Sequence, residues 1–133
     1  MQALAEQVSP KIVDRIGIRY IDRVTGEAVR DLGQLVHPEV LGVVATVAAE
    51  HARYTLSESV FAVPELSAQL LARWGLLPKG GTVDPAAIEP SAEPSWILDL
   101  DLFRAESRAF DPGEIVETAQ SYAERIYAFF RWV

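Results

Sequence analysis

Two aspartates separated by one residue have the clearest chemical potential in this sequence. Asp99 and Asp101 lie in the segment Ser95-Trp-Ile-Leu-Asp-Leu-Asp-Leu-Phe103. Side chains alternate between the two faces of a β-strand, so both carboxylates would project from one face, roughly 7 Å apart. A hard divalent cation needs several oxygen ligands, and an acid/base pair needs surroundings that separate its two pKa values. Asp99 and Asp101 are therefore the catalytic candidates for a small metal-assisted or acid/base hydrolytic enzyme.

Three arginines give a competing interpretation of the aspartate pair. Arg19 and Arg23 would share one face of the first predicted strand, and Arg73 lies on another predicted strand. If these strands neighbour the one that carries the aspartates, opposite charges face each other across the sheet and neutralise partly buried carboxylates. We favour this ion-pair interpretation, because structural pairs outnumber catalytic ones and the sequence offers no third metal ligand. The three arginines are also the binding candidates.

Other catalytic and cofactor-binding arrangements do not emerge from the sequence. It has 0 cysteines, which removes disulfides, thiolate metal ligands and cysteine nucleophiles. His37 and His51 would lie at opposite ends of one predicted helix, too far apart to share a metal ion through helical spacing. The segment Lys79-Gly-Gly-Thr82 lacks the GxxxxGK[ST] spacing of a phosphate-binding loop and is better explained as a tight turn. No metal site and no cofactor is predicted.

The charge balance is acidic, with 12 Lys and Arg against 19 Asp and Glu and a net charge of −7. Proteins that bind nucleic acid or anionic membranes need clustered cations, whereas here Lys11 and Lys79 are the only lysines and the arginines are scattered. No apolar run approaches the ~20 residues that span a bilayer. The expected partner is therefore a protein or a second copy of the chain, rather than nucleic acid or membrane, and the expected location is the cytoplasm.

The segment that carries the aspartates is predicted to be a central strand of a sheet. Its other face is entirely apolar and carries Trp96, Leu98, Leu100 and Leu102. Alternating patterns predict three further strands, over residues 15–24, 53–63 and 67–77. The short Pro64-Glu-Leu66 connection is typical of a hairpin, so the last two of these strands should be antiparallel neighbours.

Two helices are predicted beside the strands. Asp111 and Pro112 suit the N-cap and first position of a helix that runs to the end of the chain with an apolar stripe at spacings of three and four. Similar spacing favours a helix from about Pro38 to about His51, although dense β-branched residues leave a strand over 43–47 as the alternative. Residues 78–94 form a long irregular loop, of a kind that is often functional.

These elements together predict an α+β fold. It has about four mostly antiparallel strands, with two helices packed on one face and a long helix at the C-terminus. The length favours a single domain over residues 15–133, after a flexible lead-in over residues 1–14. The chain closes on Trp132-Val133 without a polar tail, so we expect it to be a C-terminal fragment of a longer protein.

Five segments of the sequence have a recognisable wording: Arg15-Ile-Gly-Ile-Arg-Tyr-Ile-Asp22, His37-Pro-Glu-Val-Leu-Gly42, Ala72-Arg-Trp-Gly-Leu-Leu-Pro78, the predicted strand over 95–103 and Ala123-Glu-Arg-Ile-Tyr-Ala-Phe-Phe-Arg-Trp-Val133. These segments resemble a sporadically distributed bacterial family of uncharacterised proteins that is common in actinobacteria. The resemblance covers most of the chain from about Val13 and corresponds to the C-terminal half of a typical member. It implies a longer parent protein, but it implies no activity and maps no catalytic residue.

The leading functional hypothesis is a non-enzymatic module for protein interaction or ligand binding. Its candidate surface is the sheet face with the arginines and aspartates, together with the 78–94 loop. The alternative hypothesis is the small hydrolytic enzyme that uses Asp99 and Asp101.

Overall fold

The computed structural model describes residues 11–133. The strands are β1 (Ile12–Val13), β2 (Ile16–Thr25), β3 (Ser57–Val63), β4 (Ala68–Leu77), β5 (Ser95–Arg104) and β6 (Arg108–Ala109). The helices are α1 (Glu27–Arg30), α2 (Leu32–Leu35), α3 (Pro38–Leu41) and α4 (Pro112–Trp132). Short 3₁₀ turns lie at Gly42–Ala45, Val47–His51 and Pro64–Leu66.

Within the described residues, the long strands form a four-stranded antiparallel sheet in the spatial order β2-β5-β4-β3. The long helix α4 packs on this sheet. The short strands β1 and β6 form a separate antiparallel pair, in which Ile12 lies opposite Ala109 and Val13 opposite Arg108. The predicted α+β fold with four antiparallel strands and a long C-terminal helix is confirmed.

Strand β5 lies between β2 and β4, and its residues 95–100 are buried on both faces. The apolar face predicted from Trp96, Leu98, Leu100 and Leu102 is buried throughout. The opposite face is buried at Ile97 as well. A strand that is covered on both sides must be apolar nearly throughout, and the one charge that β5 buries deeply belongs to Asp99.

The described residues divide into two compact units. The first unit consists of residues 11–19, Val60–Leu71 and Asp101–Trp132. The second unit consists of Tyr20–Ser59, Ala72–Leu100 and Val133. The single domain over residues 15–133 stays a prediction. Residues 1–10, which make up most of the predicted lead-in over 1–14, lie outside the described residues.

In the first unit, helix α4 begins as its sequence predicts. The Asp111 carboxylate accepts hydrogen bonds from the backbone N–H groups of Gly113 (3.0 Å) and Glu114 (3.3 Å). This arrangement satisfies N–H groups that have no partner inside the helix. Near the other end of α4, the ring of Phe129 packs on Phe61 of β3, with their centroids 5.7 Å apart.

In the second unit, the long loop after β4 is ordered by an apolar core. Leu77, Ile88 and Ile97 are buried together, with Ile21 and Val83 packed against them. Within the loop, the Thr82 hydroxyl donates to the Ile88 carbonyl at 2.6 Å. Val83 and Ile88 anchor the loop to this core, whereas most other residues of 78–94 are exposed, so the loop's place in the candidate surface stays a prediction.

The continuous helix predicted from about Pro38 to about His51 is wrong. Helix α3 ends at Leu41, and two 3₁₀ turns follow it. Gly42 has a φ of 57°, and Thr46 is extended with φ −110° and ψ 175°, so the α-helical path is interrupted twice. Val47 is 93% exposed, which means that its apolar side chain does not belong to a buried helical stripe. The alternative strand over 43–47 does not form either.

No helix among residues 11–133 has the combination of length and apolarity that crossing a bilayer requires.

Candidate functional site

The carboxylate of Asp99 is engaged by an arginine. Arg73 donates to the same oxygen, Oδ2, from Nη2 at 2.7 Å and from Nε at 3.2 Å. Asp99 is 2% exposed and the Arg73 side chain 18% exposed, so this is a buried ion pair within the second unit. Its arrangement agrees with the ion-pair interpretation of Asp99 and Arg73.

Asp101 is engaged by a different arginine. Arg15 donates from Nη2 to Asp101 Oδ2 at 3.1 Å within the first unit. The same guanidinium lies 4.6 Å from the centroid of the Phe103 ring, which is the geometry of a cation–π contact. Sequence reasoning missed Arg15, which lies directly before β2, although its spacing of four from Arg19 would place both on one face of the strand predicted over 15–24.

The remaining arginine candidates occupy different surroundings. Arg19 is exposed on β2. Arg23 is half-buried, and its Nε and Nη2 atoms have no hydrogen-bond partner among residues 11–133. No group of three His, Cys, Asp or Glu side chains in that part of the chain could hold a metal ion.

A polar cavity of about 290 Å³ lies entirely within the first unit. Its lining includes Ser67, Arg104, Arg108, Thr118, Ser121 and Tyr122. The residues come from the turn before β4, from the end of β5, from β6 and from one side of α4. We call this site the polar cavity.

Arg104 is the key side chain of the polar cavity. It is the last residue of β5, so the strand carries it out of the apolar interior to the cavity wall. Its Nε atom is buried and has no hydrogen-bond partner among the described residues. A buried N–H of a charged group without a partner is costly, and native proteins rarely retain one without a role.

Arg108, the second arginine of the polar cavity, is bound by carboxylates. It contacts Glu114 at 3.2 Å and Glu106 at 3.3 Å. The hydrogen bonds with Glu106 and Glu114 raise the pKa of the Arg108 guanidinium. Arg108 therefore contributes positive charge that is already balanced, and the other donors of the cavity wall are Arg104 and the hydroxyl groups of Ser67, Thr118 and Ser121.

Tyr122 closes the polar cavity from the side of α4. It is 1% exposed, and its hydroxyl donates to the Leu66 carbonyl at 3.4 Å. Burial raises the pKa of Tyr122 above 10.0, against the opposing effect of the nearby positive charges on Arg104 and Arg108. The hydroxyl thus stays protonated at neutral pH and does not compete as an anion for either arginine.

Ser67 sits at a strained point of the cavity wall. Its φ of 51° and ψ of 40° lie in the left-handed region, which residues other than glycine rarely adopt. The strain follows from the Pro64–Leu66 turn, in which the Ser67 N–H donates to the Pro64 carbonyl at 3.0 Å. Such outliers cluster at functional sites, where neighbouring structure over-determines them.

A second cavity, of about 390 Å³, shares Ser67 and Arg104 with the polar cavity. Its other lining residues are the apolar Ala62, Pro64, Ala68, Phe103 and Ala105, which make up the larger part of the wall, and the polar Gln69 and Glu106; all of them belong to the first unit. We call it the apolar cavity. Arg104 thus lines both cavities.

The second unit has a cavity of its own, of about 600 Å³. Its wall is mostly apolar and includes Val29, Leu32, Pro38, Leu41, Val44 and Leu76. Arg30 and Glu50 contribute the charged side chains. It holds none of the buried polar atoms that lack a partner among the described residues.

Comparison with protein-family models, with curated proteins and with solved structures finds no match to this chain.

Proposed function

We propose that this protein is a non-enzymatic ligand-binding module, and that its site is the polar cavity around Arg104. The observation that carries the proposal is the buried Nε of Arg104, which has no hydrogen-bond partner among residues 11–133. An arginine presents its N–H groups as a planar fork that matches a carboxylate. A ligand carboxylate would satisfy this N–H and would gain a charge-assisted hydrogen bond in return.

The surrounding charges favour a ligand with a single negative charge. Glu65 and Glu117 line the cavity, Glu106 and Glu114 lie on Arg108, and Glu65 is also ion-paired with Arg125. These carboxylates would repel a phosphate dianion more strongly than a carboxylate monoanion. Selectivity for monoanions is therefore part of the proposal.

Binding rather than catalysis is proposed because the carboxylates that could act as a base beside Arg108 are already engaged by it. The alternative, a hydrolytic enzyme centred on Asp99 and Asp101, has less support, since each aspartate is ion-paired with an arginine. Membership of the sporadically distributed bacterial family stays a prediction, and it suggests no ligand.

The test is a titration of the ¹⁵N-labelled chain with sodium acetate, with sodium chloride as the ionic-strength control. We expect saturable shifts at the amides of Ser67 and Arg104, and weaker binding of inorganic phosphate at pH 8. Arg104→Gln should weaken acetate binding about tenfold or more, because it removes a charge-assisted hydrogen bond.

Arg15→Gln is the matched control, since Arg15 belongs to the same unit but does not line the cavity. Acetate that binds Arg104→Gln and the unsubstituted protein equally would refute the proposal, as would shifts that chloride alone reproduces.

A further inference from the structure

The two cavities of the first unit share a wall, and this arrangement bears on the shape of the ligand. Arg104 and Ser67 line both of them. A group bound to the Arg104 guanidinium therefore has polar surroundings on one side and apolar surroundings on the other. A ligand that uses both spaces must carry its charge at one end.

The walls of the apolar cavity are suited to an aliphatic or aromatic body. Ala62, Pro64 and Ala68 have small side chains that leave the space open, and the Phe103 ring adds an apolar surface. Arg15 lies over the Phe103 ring at 4.6 Å, which restricts the motion of that ring. The polar side chains at this wall are Ser67, Gln69, Arg104 and Glu106. A mostly apolar wall with a few polar groups is typical of small-molecule sites.

The size of the apolar cavity limits the length of the ligand. Its volume is about 390 Å³. At the ~30 Å³ that each water occupies in the liquid, this space holds about a dozen non-hydrogen atoms. A chain of about four to eight carbons fits with room to spare, whereas a long fatty acyl chain would extend into solvent.

We infer that the ligand is an amphipathic monocarboxylate, with its carboxylate on Arg104 in the polar cavity and its apolar body in the apolar cavity. This inference rests on the proposed function. It adds the chemical class of the ligand and the direction in which the ligand lies.

The test is a chain-length series on the full chain, measured by calorimetry with acetate, butyrate, hexanoate and octanoate. Each additional methylene is expected to tighten binding about two- to fourfold. The lower end of this range applies where a methylene stays partly in water, because the cavity is open at Ala62 and Pro64. Hexanol, which lacks the carboxylate, should bind far more weakly than hexanoate.

Two variants locate the apolar body of the ligand. Ala62→Leu fills the apolar cavity from an exposed position on β3, so the fold should tolerate it. It should remove the dependence of affinity on chain length, so that hexanoate and octanoate bind no more tightly than acetate. Ala105→Leu, also exposed and also lining the cavity, repeats the experiment if Ala62→Leu does not fold. Ala109→Leu is the matched control, because Ala109 is exposed but does not line the cavity.

The outcomes separate this inference from the proposed function. Acetate binding that needs Arg104 but does not tighten with chain length overturns the inference and leaves the proposed function standing. A chain-length dependence that survives both leucine substitutions also overturns it, because the apolar body then lies elsewhere. If no carboxylate binds in a manner that depends on Arg104, both proposals fall.

Discussion

At the scale of single residues, Asp99 and Arg73 form the costliest polar contact within the second unit. The carboxylate is 2% exposed and lies 2.7 Å from the guanidinium. Two charges taken out of water are worth little as a pair, since desolvation offsets most of their attraction. Removal of one charge of the pair strongly lowers the free energy of unfolding, because the other charge then stays buried without a partner.

We predict that Arg73→Met lowers the free energy of unfolding by about 3–5 kcal/mol. The comparison is Arg15→Met, which should cost about 0–1 kcal/mol, because Arg15 is 52% exposed and water can replace it beside Asp101. The double variant Arg73→Met with Asp99→Leu should regain most of the loss. Urea denaturation at pH 7 measures all three. Equal losses in Arg73→Met and Arg15→Met would contradict the buried-pair argument.

The residue-level predictions succeeded where strand alternation alone decides which side chains share a face. It predicted that the aspartates of the central strand pair with arginines if the strands are neighbours, and an ion pair between Asp99 and Arg73 is observed. It could not find the polar cavity, because Ser67, Arg104 and Tyr122 are far apart in the sequence and no motif joins them. The one available signal was Arg104, which directly follows the predicted central strand over 95–103, at the point where the chain leaves the apolar interior.

At the scale of elements, a close backbone crossing shapes β4. The Thr55 N–H donates to the Leu76 carbonyl at 2.9 Å, and the Leu76 N–H donates to the Thr55 hydroxyl at 2.9 Å. Beside these two hydrogen bonds, a Cβ atom built on Gly75 would lie 1.8 Å from the Thr55 carbonyl oxygen. The absence of a side chain at Gly75 is therefore what allows the chain to approach β4 here.

We predict that Gly75→Ala destabilises the protein by about 1–3 kcal/mol, because Thr55 must move and its hydrogen bonds with Leu76 weaken. Gly33→Ala is the matched control. A Cβ at Gly33 meets nothing within 4 Å, so this substitution should be neutral or slightly stabilising. Thermal denaturation of both variants by circular dichroism provides the measurement. A stable Gly75→Ala protein would mean that Thr55 does not constrain β4.

The element predictions show why patterns identify strands better than they identify short helices. Four strands were predicted to within a few residues, because alternation over seven to ten residues is a strong local signal. The helix predicted from Pro38 was wrong because helical spacing says nothing about backbone angles. The positive φ of Gly42 ends α3, and the extended Thr46 separates the turns that follow.

At the scale of the whole molecule, the acidic charge makes a carboxylate site depend on local donors. The net charge of −7 repels anions at long range, and salt screens that repulsion over about 10 Å at 0.1 M. A site for an anion on such a protein must rely on short-range hydrogen bonds to a buried cation. Arg104 meets that requirement through its buried guanidinium N–H, whereas Arg19 lies exposed on β2.

The continuity of the strands bears on whether the two units unfold separately. Each of the strands β2, β3, β4 and β5 contributes residues to both units. When the neighbouring strands detach from one half of a strand, the hydrogen bonds in its other half lose their cooperative support. We therefore expect residues 15–133 to unfold in one transition, as the predicted single domain requires.

Native-state hydrogen exchange tests this cooperativity directly. The amides of Leu98 and Leu102 belong to different units of the same strand, and both side chains are buried. We predict that both amides exchange with the same free energy, equal to that of global unfolding. Hexanoate at ten times its dissociation constant should raise both values by about 1.4 kcal/mol, because a ligand that binds only the folded state stabilises every residue of a cooperative unit. Arg104→Gln should abolish the increment at both amides. Protection that rises at Leu102 but not at Leu98 would instead divide the chain into two independently unfolding parts.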